Sequence, residues 1–411
     1  MPVNYAPLWQ TLNERQLTTM QLRVSTGIAP NTMTRLRRNE EVSLSILGRI
    51  CEFLKCDFSN VLSYIPEGCS NYETKLGTFT IKNRRYLGNK YKLLPFISHV
   101  VENNCHNVRT VADIFSGTGS VASAFNDRNL ITNDILYSNY ICNLAWFGNQ
   151  DFDEGKIGEL IRYYNNIHSE AENYMTLNFA NTYFSMADCS KIGIIREDIE
   201  RQFKNGFLNE RERALLITTL IYAMDRIANT CGHYDAYIKK AVFNRSLVLS
   251  FPQASHNNSS KNVCYNEDAN MLVRRISADL VYIDPPYNSR QYCDTYHLLE
   301  NVARWEQPEV FGVARKPDRQ GLKSKYCSKN ASEAFADLIE NIKAKYILFS
   351  YNNMSNKGDD RSNTRMTDED ILSILEAKGS VQIFEEDHKA FSAGKSNIQG
   401  NVERLFLCIC E

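Results

Sequence analysis

The chain has 411 residues, of which 43% are hydrophobic and 23% are charged, and its net charge at pH 7 is -1. This length allows a large core and an accessory module, and the composition is typical of a globular protein in water. The near-zero charge excludes a globally basic nucleic-acid-binding protein, so any surface for a nucleic acid must be local. The sequence indicates neither a membrane span nor a signal peptide, and we therefore expect a cytoplasmic protein with no membrane partner.

The 12 cysteines are scattered singly, except for Cys408-x-Cys410 near the C-terminus. Two cysteines at that spacing on a strand share one face, which favours core packing over ligation. Because no pair has the Cys-x-x-Cys spacing of a zinc or redox site, we predict reduced thiols and no metal.

The first 66 residues have the pattern of a small helical domain. Thr18 is placed to cap a short helix, Gly27 supplies a turn, and Pro30 suits the first position of the next helix. A helix, a turn and a second helix with a polar, basic side can read DNA, and the pattern resembles the Cro/phage-repressor type of helix-turn-helix domain. A helical bundle for protein contacts is the alternative. The polar side of the second helix comprises Asn31, Thr32, Thr34, Arg35, Arg37 and Arg38.

A segment at residues 67–78 is predicted to be a linker to a second domain over residues 79–411. Early in that domain, Gly88-Asn89-Lys90 precedes a helical pattern. A glycine beside a lysine ahead of a helix suits the close approach of an anionic ligand. A basic turn at the surface fits the same residues.

A strand, a tight glycine turn and the start of a helix follow one another over residues 108–125. The strand carries Asp113 and the turn carries Gly117 and Gly119. This order is typical of nucleoside-cofactor sites, although no third glycine completes a dinucleotide fingerprint. Further strands and helices alternate to the last apolar run, which predicts a doubly wound α/β domain.

A second predicted strand ends in an acid, Asp134. Its carboxylate is placed to accept hydrogen bonds from both ribose hydroxyls of a nucleoside, and Ile135 is placed to pack on an adenine ring. A short strand pattern also precedes Asp268 and Ala269, which we expect beside the adenine amine of the cofactor.

Residues 149–260 lack glycine-turn motifs and are mostly polar and helical in pattern. Residues 211–229 form one predicted helix with an apolar stripe. A polar-aromatic loop follows over residues 228–237, and loops of this kind are candidates for DNA contact. Within it we predict His233 and Tyr234 as DNA-binding residues, with no catalytic role for His233.

The stretch around which the chain is organised begins with a predicted buried strand at residues 278–283. Two prolines end the strand, so Asp284-Pro285-Pro286-Tyr287 leaves the sheet at a carboxyl end, where open α/β sheets bind ligands. A flipped base can stack on Tyr287 while its amine donates to Asp284 and to the carbonyl of Pro285. Held off the ring plane, the amine nitrogen becomes a nucleophile towards a methyl group. The alternative is a tight strand-to-loop turn with a packed tyrosine.

Taken in order, these elements resemble the Dam-like class of DNA N6-adenine methyltransferases, and most closely the FokI-type restriction-modification methyltransferases. The tracts 232–237 and 288–300 carry the likeness to the FokI type. The elements shared with the class are Gly88-Asn89-Lys90, Asp113-Ile114-Phe115-Ser116-Gly117-Thr118-Gly119, Asp134 and Asp284-Pro285-Pro286-Tyr287.

The resemblance implies a Rossmann-like S-adenosylmethionine-dependent methyltransferase sheet with a helical target-recognition insert. It implies S-adenosylmethionine as the cofactor and double-stranded DNA as the partner. Asp284, Pro285, Pro286 and Tyr287 become the expected catalytic residues, and Arg290 an expected DNA contact. The cofactor-binding residues that the resemblance assigns are Tyr86, Gly88, Asn89, Lys90, Asp113, Phe115, Gly117, Gly119, Asp134 and Ile135.

We therefore expect a site-specific DNA adenine methyltransferase, associated with the nucleoid, that protects host DNA from a separately encoded restriction endonuclease. The helix-turn-helix is expected to bind promoter DNA or to add grip on substrate DNA. Three alternatives stay open: a repressor with a cofactor-sensing methyltransferase-like domain, a methyltransferase of RNA or protein glutamine, and an N4-cytosine methyltransferase. Within the resemblance, the acid at Asp284 favours DNA adenine.

Overall fold

The computed structural model describes residues 3–15, 17–37, 40–64, 81, 84, 86–239, 242–251, 254, 258–352, 365–387 and 402–411. The chain divides into two compact units, Met1–Leu76 and Gly77–Glu411. The predicted linker and Arg38 lie outside the described residues, as does the side chain of Arg37. The predicted domain limits at residues 66 and 79 therefore stay predictions.

The first unit is a small helical domain closed by a short antiparallel strand pair. Thr18 accepts a hydrogen bond from the Gln21 amide and so caps the second helix, while Gly27 (φ 64°) ends it in the left-handed conformation. The third helix begins at Pro30 as predicted. The elements are β1 Val3–Asn4, α1 Ala6–Glu14, α2 Thr19–Thr26, α3 Pro30–Arg37, α4 Leu44–Leu54 and β2 Ser63–Tyr64.

The second unit is built on a sheet of seven strands within the described ranges. Its order is β5-β4-β3-β6-β7-β9-β8, and all neighbours are parallel except β9, which runs antiparallel to both β7 and β8. The predicted α/β fold is thus confirmed. The strands are β3 Thr110–Asp113, β4 Asn129–Asn133, β5 Val263–Tyr265, β6 Ala278–Ile283, β7 Ala344–Asn352, β8 Gly379–Asp387 and β9 Val402–Cys410.

Helices cover both faces of this sheet. Successive side chains of a strand point to opposite faces, so an apolar strand gives each face a surface to bury. Leu280 of β6 belongs to one buried cluster and Val281 to the other. The helix after the glycine turn, α6, is a single turn, since the chain must enter β4 at Asn129. The helices of this unit are α5 Leu94–Asn104, α6 Ser120–Ser123, α7 Tyr137–Phe147, α8 Glu154–Asn165, α9 Tyr174–Phe179, α10 Met186–Lys204, α11 Glu210–Ile227, α12 Ala269–Leu272, α13 Tyr292–Thr295, α14 His297–Arg304, α15 Ala331–Asn341 and α16 Asp368–Glu376.

The helical insert packs onto the first face of the sheet. Helix α11 lies against α7, α10 and α14, and most of its residues are buried. No helix in the described part of the chain is long and apolar enough to cross a membrane.

The register of the sheet brings three acids to one edge. Asp113 is the last residue of β3, Asp134 follows β4 and Asp284 follows β6. Strand β3 is the direct neighbour of both other strands, with Asp113 opposite Thr132 and Tyr282. The carboxyl ends of three parallel strands therefore meet at one place.

Candidate active site

A cleft opens at this edge of the sheet, with about 1100 Å³ of empty space including its mouth. All residues predicted to bind the cofactor or to catalyse line the cleft, except Gly119. The lining includes Tyr86, Gly88, Asn89, Lys90, Asp113, Phe115, Gly117, Asp134, Ile135, Asp268, Ala269, Asp284, Pro285, Pro286 and Tyr287.

The glycine turn after β3 leaves no room for side chains. Gly117 has φ 50°, and a Cβ atom there would lie 3.3 Å from Cε1 of Tyr86. Gly119 has φ 81°, and its Cβ would lie 2.7 Å from Oδ1 of Asn143. Only glycine fits both the backbone conformation and the space. Gly119 thus shapes the turn, while Gly117 borders the cleft.

Asp134 is held by backbone amides at the end of β4. Oδ2 accepts a hydrogen bond from the Gly117 amide at 2.9 Å, and Oδ1 accepts one from the Leu136 amide at 2.8 Å. Burial raises the pKa of this carboxyl to about 6, and the hydrogen bonds oppose the rise. Asn266 donates from Nδ2 to the carbonyls of Asp134 and Ile135 and fixes the next turn.

Asp113 lies deeper in the same edge and is 2% exposed. Burial, followed by the negative charges of Asp284 and Asp134, raises the pKa of Asp113 to about 8. Three carboxyls this close in a low-dielectric cleft cannot all stay ionised at low cost. The cleft is therefore tuned to receive positive charge or hydrogen-bond donors.

The segment that carries Tyr86 folds over the cleft and is fixed by two tyrosines beyond the Asp-Pro-Pro-Tyr motif. The Tyr86 ring stacks on Tyr296, with centroids 4.5 Å apart and planes at 12°. Tyr296 accepts a hydrogen bond from the Leu87 amide at 2.7 Å, and Tyr292 donates from its hydroxyl to the Leu87 carbonyl at 3.0 Å. The Tyr86 hydroxyl accepts from Nδ2 of Asn139 at 2.8 Å. Tyr292 and Tyr296 were missed as site residues, and their i, i+4 spacing after the motif was the available signal.

Asn89 and Lys90 leave the same segment in different directions. Oδ1 of Asn89 accepts from the Tyr91 amide and from the Ser120 hydroxyl, at 2.9 and 3.1 Å. Nζ of Lys90 lies 2.9 Å from Oδ2 of Asp284 and 3.2 Å from the carbonyl of Gly88. Lys90 thus reaches the proposed catalytic acid.

Asp284 lies in a largely buried environment and forms an ion pair with Lys90. Burial raises the pKa of this carboxyl, and the Lys90 ammonium opposes the rise. The next residues lead out of the sheet, and the Tyr287 ring meets Tyr351 edge-to-face at 6.2 Å. The Tyr287 carbonyl accepts a hydrogen bond from the Arg365 amide at 3.0 Å, which anchors the turn.

The far wall of the cleft comes from two short segments. Asp268 caps α12 through a hydrogen bond from the Met271 amide at 3.1 Å, so part of its carboxylate is occupied within the chain. Phe115 meets Tyr326 edge-to-face at 5.2 Å. Tyr326 belongs to a stretch that the sequence did not single out, whose cleft-lining residues are Leu322, Ser324, Lys325 and Tyr326.

The predicted DNA contacts of the second unit differ in their exposure to solvent. Arg290 is exposed and His233 is partly exposed. Tyr234 is only 2% exposed, and its hydroxyl donates to Oδ1 of Asp225 at 2.7 Å. The prediction that Tyr234 touches DNA is therefore corrected: its ring belongs to the core beneath the loop.

In the first unit, α3 carries the predicted DNA-reading residues whose side chains are described. Asn31 and Arg35 are exposed, whereas Thr32 and Thr34 are partly buried. The Thr34 hydroxyl donates to the Pro30 carbonyl at 3.2 Å, and the Arg35 guanidinium donates to the Glu41 carbonyl.

No group of three or more His, Cys, Asp or Glu residues within the described ranges has the geometry of a metal site. The site's chemistry is that of carboxylates, backbone amides and aromatic rings. The second unit combines a mostly parallel sheet, a glycine turn and acids at adjoining strand ends. These features place it in the class of methyltransferase folds that use a nucleoside cofactor.

Comparison with known families extends this assignment. A profile of the D12 class N6 adenine-specific DNA methyltransferases matches residues 86–359, and one of Cro/C1-type HTH DNA-binding domains matches residues 7–67. The chain belongs to the D12 class N6 adenine-specific DNA methyltransferase family and carries a Cro/C1-type helix-turn-helix domain. This confirms both resemblances drawn from the motifs. The family implies S-adenosylmethionine-dependent methylation in general, with DNA as a partner.

Three relatives illustrate the similarity. Modification methylase StsI of Streptococcus sanguinis is 38% identical over 287 residues, covering 66% of this chain and 44% of that protein. Type II methyltransferase M.FokI of Planomicrobium okeanokoites is 35% identical over 320 residues, covering 73% and 48%. Type II methyltransferase M.NlaIII of Neisseria lactamica is 30% identical over 323 residues, covering 76% and 93%. The chain thus matches less than half the length of StsI and M.FokI.

Proposed function

We propose that this protein transfers a methyl group from S-adenosylmethionine to N6 of an adenine flipped out of duplex DNA. The observation that carries the proposal is the position of Asp284. Asp284 directly follows β6 and lines the same cleft as Asp134 and Gly117, so an amine acceptor and a nucleoside-binding turn share one cavity. An exocyclic amine and a methyl donor can therefore meet there without a covalent enzyme intermediate.

The residues present fit S-adenosylmethionine. Gly117 leaves backbone exposed where a side chain would strike Tyr86, and Asp134 offers carboxylate oxygens to a ribose. The Asp134 carboxyl, whose pKa is about 6, carries negative charge near pH 7 and suits a cationic cofactor, whereas Asp113, whose pKa is about 8, is mainly protonated there. When bound, the cofactor supplies an electrophilic methyl group. Tyr86, Asn89, Phe115, Ile135 and Asp268 would enclose its adenosine and amino-acid parts.

The chain's own groups prepare the amine. Asp284 and the Pro285 carbonyl accept hydrogen bonds from N6, which draws the nitrogen lone pair away from the ring. Positive charge develops on that nitrogen during transfer, and the Asp284 carboxylate stabilises it. Tyr287 offers a face for stacking, and the Lys90 ammonium opposes the rise that burial causes in the pKa of Asp284.

The test is a map of modified adenines in genomic DNA from cells that express the wild type or Asp284→Ala. We expect a short methylated motif with the wild type and none with the variant. Asp127→Ala, at an exposed carboxylate, is the control and should methylate normally. Thermal melting verifies that both variants fold. Retained adenine methylation in Asp284→Ala would overturn the role of this acid, and modified cytosine would point to the N4-cytosine reaction.

We further propose that the enzyme is the modification partner of a separately encoded restriction endonuclease. Relatives named as type II methyltransferases and modification methylases support this. Cells that carry the endonuclease gene should survive only when this enzyme is active. Survival with Asp284→Ala alone would contradict the pairing.

A second proposed activity is operator binding by the helix-turn-helix domain, supported by the exposed Asn31 and Arg35 on α3. A gel shift with the protein's own promoter tests it. Arg35→Ala with Arg37→Ala should weaken promoter binding while methyl transfer persists; Arg15→Ala, on an exposed turn, should not. Unchanged promoter affinity in the double variant would remove the regulatory role. A cofactor-sensing repressor without transferase activity would instead bind promoter and leave DNA unmethylated.

A further inference from the structure

A basic segment, defined here as residues 315–329, borders the cleft. It holds six of the chain's 47 basic residues within fifteen positions, with Asp318 as its single acid. For a protein of net charge -1, this is a strong local concentration of positive charge. It lies outside the region where the sequence predicted target recognition.

Two of the six cations anchor the segment to its neighbours. Lys316 forms ion pairs with Asp235 and Asp294, and Arg319 forms one with Asp294. Asp235 belongs to the polar-aromatic loop predicted to contact DNA. The segment is thus tied at one end to that loop and to α13.

The other end is fixed to the cleft itself. Nε2 of Gln291 donates to the Ser324 carbonyl at 3.0 Å, and the Ser324 amide donates back to Oε1 of Gln291 at 2.8 Å. Sγ of Cys327 contacts the Arg290 carbonyl at 3.4 Å. Because Gln291 and Arg290 closely follow Tyr287, these contacts hold the segment beside the proposed entrance for the base.

The remaining cations face solvent. Among described residues, Arg315, Lys323 and Lys329 are exposed, and none of their side chains has an ion pair with a described carboxylate. Lys325 is exposed and lines the cleft, and Arg290, whose carbonyl contacts Cys327 of the segment, is exposed as well. Unpaired surface cations beside a cleft favour a polyanion as the partner.

We propose that the basic segment binds the phosphate backbone of the duplex that delivers the target base. The proposal rests on the proposed function, since it names the surface through which that substrate is held. Phosphate contacts position a protein on DNA and are independent of base sequence. The segment therefore contributes affinity and orientation, and the anchors Lys316 and Arg319 keep it aligned with the loop that contains Asp235.

The first test is lysine acetylation of the full chain by N-hydroxysuccinimidyl acetate, with and without a mixed-sequence DNA duplex, followed by mass spectrometry. Lys323 and Lys329 should react several-fold more slowly when DNA is present. Lys343 and Lys345, at the amino ends of the strands, should react equally in both conditions. Because the readout is residue-specific, DNA binding by the helix-turn-helix does not obscure it. Equal reactivity of Lys323 and Lys329 with and without DNA would overturn the proposal.

The second test is a triple variant, Arg315→Gln with Lys323→Gln and Lys329→Gln. Each lost phosphate contact lowers the slope of log affinity against log salt by about 0.9, so the slope should fall by about 2 to 3 units. KM for DNA should rise at least about tenfold at low salt, with kcat at saturating DNA and S-adenosylmethionine affinity unchanged. The matched control removes three exposed cations at the amino ends of the strands: Arg109→Gln with Lys261→Gln and Lys343→Gln. If the control variant lost as much DNA affinity as the first variant, only net charge would matter, and the proposed role of the basic segment would be rejected.

The two proposals fail differently. Protection of Lys323 and Lys329 without any methyl transfer would overturn the proposed function and leave the DNA surface standing. Methyl transfer without protection would do the reverse.

Discussion

Nζ of Lys90 lies 2.9 Å from Oδ2 of Asp284, so the only close charge partner of the proposed catalytic acid in the described structure comes from the segment over the cleft. From the sequence we expected Lys90 to bind the cofactor. The observed pairing instead connects the fold of that segment to the ionisation of Asp284.

Replacing Lys90 with Met should shift the acid limb of the kcat–pH profile to higher pH. Burial raises the pKa of Asp284 and Lys90 opposes this, so losing the ammonium lets the pKa rise further. A protonated Asp284 is no longer an acceptor for the amine, and activity is lost as pH falls through that pKa. Lys92→Met, at an exposed neighbour, is the control. If the acid limb of Lys90→Met stays at the wild-type pH, Lys90 does not control the ionisation of Asp284.

Gly117→Ala should weaken S-adenosylmethionine binding at least about tenfold, because the added methyl group would press on Tyr86 and displace this wall of the cleft. Left-handed strain of ~1–2 kcal/mol burdens the free and the bound protein alike, so it lowers stability and not affinity. Gly206 provides the matched control. It also has a positive φ, 73°, but a Cβ there meets nothing within 4 Å. Gly206→Ala should lower stability slightly and leave cofactor affinity unchanged in calorimetric titration. If both variants lose the same affinity, the loss arises from backbone strain in general and not from the contact with Tyr86 in the cleft.

Asp113 should make the free protein less stable as pH rises. Its folded-state pKa, about 8, exceeds the ordinary value of 3.8, so the proton bound in the folded state stabilises it. That contribution is complete below about pH 4 and disappears by about pH 8. Asp113→Asn should therefore flatten the fall in melting temperature between pH 5 and 8. Asp127→Asn should melt with the wild-type pH dependence. A slope in Asp113→Asn equal to that of the wild type would remove Asp113 as its source.

The buried ion pair of Arg84 and Asp225, with an Nε–Oδ2 distance of 3.2 Å, should be costly to break. Asp225→Asn leaves a guanidinium in the core that is only 2% exposed, and we expect a loss of about 3–5 kcal/mol in the free energy of unfolding. Combining it with Arg84→Met should cost less than the sum of the single changes. Glu159→Gln breaks an exposed pair and should change stability by less than about 1 kcal/mol. Denaturant unfolding of the wild type and the four variants measures these losses, and additive losses in the double variant would argue against coupling.

Elements with a local signature were the predictable part of this fold. The strand Ala278–Ile283 coincides with its prediction, because burial on both faces produces an unbroken apolar run. The glycine turn and the strand-end acids are likewise encoded over a few neighbouring positions. The alternation of strands and helices predicted the α/β class, but not the order of the strands or the place of antiparallel β9 between β7 and β8.

Contacts between distant positions were not predictable. Nothing near Lys90 in the sequence indicates that its partner is Asp284, and nothing near Tyr86 indicates the stack with Tyr296. The burial of Tyr234 depends on Asp225, which lies on the preceding helix and faces the core. A tyrosine in a polar loop has the same local pattern whether it faces solvent or an internal acceptor. The basic segment was overlooked because it carries no motif.

The antiparallel strand β9 has a consequence for how the protein is made. It lies between β7 and β8 and pairs with both along nearly their whole length. On the ribosome, β7 and β8 emerge first, yet β8 has no place in the sheet until β9 follows. The first unit, whose core uses residues before Tyr64, can fold hundreds of residues of synthesis earlier. The helix-turn-helix domain can thus be complete while the sheet that carries the cleft still lacks its last strand pair.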